Sequence, residues 1–345
     1  RLVVGQNDPS ALPENYLLFG AWKQIYDGSN QGYTGYFKHP GYWDKGANAG
    51  NDPVTGKPDP NAPDALLGLN GTLNFPRETL IASMDFYTKN NQPVETHTNG
   101  SWAAEDYMTA IELAVANHPT VKDLRHTFIH GQMEERQIVE RSIGKYDELD
   151  STANMYSDLS GTARQEGTDT DANGKAWTAS ELRAALKNGK LIKDQNLVSS
   201  YFINHTYFWG DRHYEMFLGQ DRAERISPLR SALKRGIPFS NHNDTFVTPI
   251  DPLLSVWSAV NRRTSGGRIL GENQTIPVMD ALRSVTSWAA YQACEETSKG
   301  SLEPGKLADM VVLGDNPLAV DKKAIRDIPV LATIVGNELV YGSLE

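Results

Sequence analysis

The sequence predicts an α/β protein built from parallel strand–helix units, with a small all-β element at its end. Three observations carry this. From about residue 76 to 299, short apolar strands alternate with amphipathic helices, the pattern of successive βα units. The three best strands each end in residues able to hold a ligand or move a proton, at His97, His130 and the pair His242/Asp244. In parallel α/β folds, barrels among them, chemistry sits at those C-terminal strand ends. From about residue 302 the pattern turns to Val/Ile/Leu-rich strands joined by Gly, Asn and Pro.

Taken in order, "ETLIASMDFYTKN" reads as a helix and "QPVETHTNG" as a strand ending at His97. "SWAAEDYMTAIELAVANH" is a strong helix with Ser101 as its expected N-cap and an apolar face through Ala104, Met108, Ile111, Leu113 and Ala114. "RHTFIHGQ" supplies the strand ending at His130, and "MEERQIVERSIGKY" a further helix. Residues from about 148 to 190 are polar and rich in Gly, Thr and Asp, and read as a long loop or insertion. Such a loop is a lid, a subunit contact or a decorated surface segment. "LVSSYFINHTYFWGDRH" is a strand running into an aromatic-polar cluster, "SPLRSALKRG" a helix and "IPFSNHND" the next strand. "VLATIVGNELVYGS" reads as a hairpin turning at Asn337. The expected division is a barrel-like region over 1–300 and a β element over 301–345.

The chain has 345 residues, 39% hydrophobic and 22% charged, as in globular proteins. A net charge of −10 argues against nucleic acid as a main partner, because phosphate binding needs clustered Lys and Arg. No apolar run approaches the ~18 residues of a membrane span. The single cysteine, Cys294, excludes an intrachain disulfide and reads as a small buried residue. This mildly favours the cytoplasm, and the compartment stays open. The opening "RLVVGQNDPS" is expected to be the middle of a longer product.

His97, His130 and Asp244 form a candidate metal set, since borderline divalent ions favour imidazole and carboxylate. Asp244 is also placed to take a proton as general base. Singly, each histidine reads more readily as structural; together, at three strand ends, they point to a site. His205 and His213 flank Tyr207, Trp209 and Asp211 after the next strand, and aromatics with a few polar groups suit a substrate pocket or a packed loop. His242 is close enough to orient Asp244 or to touch substrate. His126 begins its strand and reads as structural, while His39 and His118 read as loop residues. "DGSNQGYTG", Asp27 to Gly35, lacks a phosphate-loop ending and reads as a turn shaping the pocket.

"GSLEPGKLADMVVLGDNPL" resembles the closing signature of the amidohydrolase superfamily. "HTYFWGDRH", "SNHNDTFVTPIDPL", "LGENQTIPVMDALRSVT" and "KQIYDGSNQGYTG" together resemble its YtcJ-like branch, which includes N-substituted formamide deformylases. The resemblance runs from about Gly20 to the C-terminus. It implies a distorted (β/α)8 TIM-like barrel with a flanking β-sandwich, of which this chain holds the second half. It also implies hydrolysis of C–N bonds by a metal-activated water, with one or two divalent ions, zinc foremost. His97 and His130 resemble the fifth- and sixth-strand ligands, and Asp244 the eighth-strand ligand and proton shuttle. Lys23 resembles the fourth-strand lysine that, when carboxylated, bridges two metals; a salt bridge or surface charge is the alternative.

The first-strand His-x-His of the superfamily is absent from this chain, and Ser101 stands where relatives often carry Asp. Strands are placed for only about half of a barrel, and a half barrel exposes edges and a core face. The expectation is an N-terminal companion segment or chain, a small amide-like substrate, and no nucleic-acid or membrane partner; a homo-oligomer is left open. Two other functions stay in view: a non-catalytic binding or structural subunit on the same framework, and a metal-dependent esterase or cyclic amidase.

Overall fold

The computed structural model describes residues 2–3, 18–38, 41–43, 70–146 and 169–344. Two short strands, β1 (Leu2–Val3) and β2 (Leu18–Phe19), pair antiparallel. The centre is a five-stranded parallel sheet. Its strands are β3 (Trp22–Ile25), β4 (Val94–His97) and β5 (Thr127–His130), then β8 (Val198–Tyr201) and β9 (Phe239–Asn241), once the hairpin β6 (Asp169–Thr170) and β7 (Ala176–Trp177) is passed. They lie in the order β3-β4-β5-β8-β9, each beside the one before it. This single winding sense is that of a barrel wall; barrel closure is not seen among the described residues.

Helices cover the outer face. α1 (Arg77–Lys89) and α2 (Ser101–Asn117) bury Leu80, Met84, Tyr107, Met108 and Ile111 with Val94 and Phe128 of the sheet. α2 is Ala-rich and free of β-branched runs, so it propagates readily once started. Its N-cap is Gly100, not Ser101 as expected; Ser101 accepts a hydrogen bond from the Lys38 N–H instead. The cap must be glycine, because a Cβ there would lie 2.1 Å from the Tyr36 carbonyl oxygen.

α3 (Arg136–Ser142) follows β5. The part of the expected long loop that is described, residues 169–190, is the β6–β7 hairpin followed by α4 (Ala179–Ala185), which Thr178 and Glu181 close with a reciprocal capping box. Residues 147–168, like His39, lie outside the described residues. Next come α5 (Lys190–Lys193) and α6 (Asn204–Arg212). The segment "HTYFWGDRH" is therefore helical, running into one turn of π-helix at His213–Phe217. Then follow α7 (Gln220–Ala223), α8 (Leu229–Arg235), α9 (Pro252–Asn261), α10 (Val278–Ser284) and α11 (Ser287–Gln292). A second core joins Tyr201 and Phe239 to Leu229, Val256 and Trp257, and a third, of Phe37, Tyr42, Phe217 and Leu270, roofs the strand ends.

Cys294 follows α11 and is half-buried with a left-handed backbone, not fully buried as expected. The tail forms one antiparallel sheet of β10 (Met310–Leu313), β11 (Val330–Val335) and β12 (Glu338–Gly342). Gly336 and Asn337, at φ 58° and 73°, make the two-residue turn. Among the described residues this sheet is a single layer. No helix of the described residues is long and apolar enough to cross a membrane.

Candidate active site

Register brings the site residues onto one face. Lys23 pairs with Glu95 and Ile25 with His97 across β3 and β4, His97 with Ile129 on β5, Ile129 with Ser200 on β8, and Ser200 with Ser240 on β9. Strand alternation would turn His130 away from this row. Its backbone is instead left-handed (φ 71°), followed by Gly131 at φ 48°. The His130 ring lies 4.3 Å from that of His97 and 5.0 Å from that of His242. Asp244 is also left-handed, at φ 51°. His130 closes β5 and Asp244 lies three residues past β9, so both site residues take the sparsely populated left-handed region.

His97 Nδ1 lies 2.8 Å from Asp27 Oδ1. Asp27, fully buried just past β3, also accepts the N–H groups of Tyr36, Asn99 and Gly100. A carboxylate accepting N–H donors offers no proton, so the proton is on His97 Nδ1 and the lone pair is on Nε2, 3.5 Å from Asn99 Nδ2. His242 bridges onward, with Nε2 3.1 Å from His130 Nδ1 and Nδ1 2.9 Å from Ser200 Oγ. His205 is buried, 6.0 Å from the His130 ring and 4.1 Å from that of Phe202, and its Nδ1 has no hydrogen-bond partner among the described residues.

Burial, aided by neighbouring imidazoles, holds His130 and His205 well below the usual histidine range. Burial takes His242 to about 3, with help from Lys23 and His97. Neutral imidazoles are the form that binds metal. Burial raises the Asp244 carboxyl, against the pull of His97 and Lys23. Lys23 lies two residues before the end of its strand and is solvent-exposed. Crowding by protein atoms nevertheless pushes its ammonium down to about 8, against the attraction of Glu95 and Asp244.

The remaining expected residues divide. Trp209 stands 5.5 Å from His205 and 6.0 Å from Phe202, at the rim of the cluster. His213 is fully buried, 5.8 Å from His205, with Nε2 3.1 Å from Gln132 Nε2. Tyr207 packs away from the histidines, on Phe208 and Trp257. Asp211 accepts from Thr264, the Gly266 N–H and Arg268, and so pins the loop after α9. His126, as expected, is structural: it accepts the Val94 N–H and meets Thr88. Sequence reasoning passed over Asp27 and Ser200. The only signal for Asp27 was an acidic residue directly after a strand whose neighbour ends in histidine.

A metal would suit this donor set of clustered imidazoles beside a carboxylate. As they stand, no three His, Cys, Asp or Glu among the described residues are gathered tightly enough to hold an ion. His130 and His242 are hydrogen-bonded to each other instead.

The amidohydrolase family model matches residues 167–341, slightly more than half of the chain, and the chain belongs to that family. Within it the assignment is YtcJ-like. The chain is 24% identical over 330 residues to the putative amidohydrolase YtcJ of Bacillus subtilis (strain 168), covering 94% of this chain and 48% of that protein. It is 30% identical over 134 residues to the N-substituted formamide deformylase of Arthrobacter pascens, covering 39% of this chain and 24% of the relative. The chain thus spans about half the length of YtcJ, and less of the deformylase. An uncharacterized metal-dependent hydrolase from Pyrococcus horikoshii OT3 shares the fold, with a TM-score of 0.56 at 19% identity over 90% of this chain and 47% of that one.

Proposed function

We propose that this chain carries the strand-end half of a metal-dependent hydrolase site acting on C–N bonds of the amide or formamide type. The observation that carries the reading is the convergence of His97 and His130, at the ends of β4 and β5, with His242 and Asp244, just past β9, in a chain of the amidohydrolase family. His97 and His130 would hold a divalent ion, zinc foremost, with Asp244 beside them. When bound, such an ion polarises a carbonyl and lowers the pKa of a water. Asp244 takes a proton from the attacking water and returns it to the leaving nitrogen. The raised Asp244 carboxyl suits that exchange better than an ordinary solvated aspartate. Lys23 keeps a fraction of neutral amine near pH 8, the form carboxylation needs if a second ion is to be bridged. Trp209 lines the substrate side in this reading, while His213 is buried against Gln132.

A companion stretch of polypeptide, in the same or a second chain, would close the barrel over β3. That edge strand leaves Trp22 47% and Ile25 54% exposed.

The test is turnover of an amide, formamide and ester panel by the zinc-loaded protein, with and without Asp244→Asn. The expected result is amide or formamide turnover that falls by about 10²–10⁴-fold in the variant, the span of a lost general base. Near-wild-type rates in Asp244→Asn would remove the assignment, and turnover of esters alone would move it to another reaction.

A further inference from the structure

A line of hydrogen bonds crosses the site face beneath the histidines. Gln292 Nε2 donates to Glu95 Oε1 at 2.9 Å, and Gln292 Oε1 meets Ser240 Oγ. The hydroxyls of Ser240 and Ser200 are 2.8 Å apart, Ser200 Oγ is 2.9 Å from His242 Nδ1, and His242 Nε2 is 3.1 Å from His130 Nδ1. Both serines are 3% exposed, so water does not substitute for these partners.

Each hydroxyl and each neutral imidazole in the line has one proton to give, and the Gln292–Glu95 end sets the direction. Gln292 gives its NH2 to Glu95, which leaves its amide oxygen to accept from Ser240. Ser240 spends its single proton on that oxygen and must accept from Ser200. Ser200 has then spent its own, and must accept from His242 Nδ1–H. Neutral His242 is left with a bare Nε2, which must accept from His130 Nδ1–H. The Nε2 of His130 is therefore the free lone pair.

We infer that Glu95, Gln292, Ser240, Ser200 and His242 form a directional relay that sets the His130 tautomer and presents its Nε2 as a metal ligand, with His242 a positioning residue. Asp27 sets the His97 tautomer through a single bond, with the His97 Nε2 lone pair facing Asn99 Nδ2 at 3.5 Å. This rests on the metal-site reading for its purpose, but its proton order stands without a metal.

The decisive measurement is 15N NMR of histidine-labelled, metal-free protein. The expected result is the Nδ1–H tautomer on His97, His130 and His242, with Ser200→Ala releasing His242 and His130 but leaving His97 unchanged. Zinc or cobalt affinity of Ser200→Ala should fall by about 10–100-fold, the usual cost of losing an outer partner of a ligand. A proton on Nε2 of His130 or His242 in the wild type overturns the relay without needing any variant. Unchanged tautomers and affinity in a folded Ser200→Ala do the same. If the wild type shows the expected tautomers yet binds neither metal, the relay stands and the metal reading fails.

Discussion

Asp27 shows how much one side chain settles at this site. It holds the His97 ring and also ties down the backbone at Tyr36, Asn99 and Gly100. Gly100 sits against Tyr36 so closely that the turn after β3 and the start of α2 share one space. Gly100→Ala should therefore cost about 1–3 kcal/mol, the range for overpacking a tight contact, and should disturb the Asp27–His97 pair. Thermal unfolding checks this; a change in stability within about 0.5 kcal/mol, the range of neutral surface changes, would refute the close-contact argument. β9 ends at Asn241, three residues before Asp244, while the strand-end positions of His97 and His130 were legible in the sequence from strand periodicity. Asp27 was not, because its partner lies 70 residues away and nothing local distinguishes it from a turn former. The left-handed backbone that brings His130 round to His97 was equally hidden.

Among the elements, β4, β5 and the end of α1 meet at His126. Its Nδ1 accepts the Val94 N–H, so the ring must be neutral there, and burial takes it to about 3 from an ordinary 6.5. A histidine depressed on folding protonates first in the unfolded chain. Its contribution to stability is complete above about pH 6.5 and is lost as pH falls towards 3. While only the unfolded chain takes the proton, the loss approaches ~1.4 kcal/mol per pH unit. His126→Asn should flatten the acid limb of a stability–pH curve between those values, and an unchanged slope would sink the assignment. At α4, Thr178→Ala should cost about 1 kcal/mol through loss of the capping box, with no effect on metal affinity, read by denaturant unfolding and a metal titration. The Thr-x-x-Glu signature of that cap was present in "TASE", yet the polar composition around it reads as loop. In "HTYFWGDRH", too, helical packing on the core overrode a segment whose residues have middling helix propensity.

For the molecule as a whole, a metal that binds only the folded state adds stability by mass action, about 2.7 kcal/mol at a hundredfold excess over Kd. Zinc or cobalt should raise the unfolding midpoint and a chelator should reverse it; a midpoint indifferent to both would count against the metal reading. Apolar side chains stay exposed on β3 and along the tail sheet at Leu331, Val335, Leu339 and Val340. If a companion segment covers them, native mass spectrometry of protein from its source should find this chain with a further stretch of polypeptide, covalent or not, and the midpoint should rise with it. A bare chain that is monomeric and fully stable would argue otherwise. Strand–helix alternation and the closing motif determined the α/β class and the family, because period and motif are local properties of the chain. Which nitrogen each histidine offers, the part played by Asp27 and the line from Glu95 to His130 were decided only in three dimensions. Hydrogen bonds between strands depend on register and on the few left-handed backbone positions, and neither can be read along one dimension.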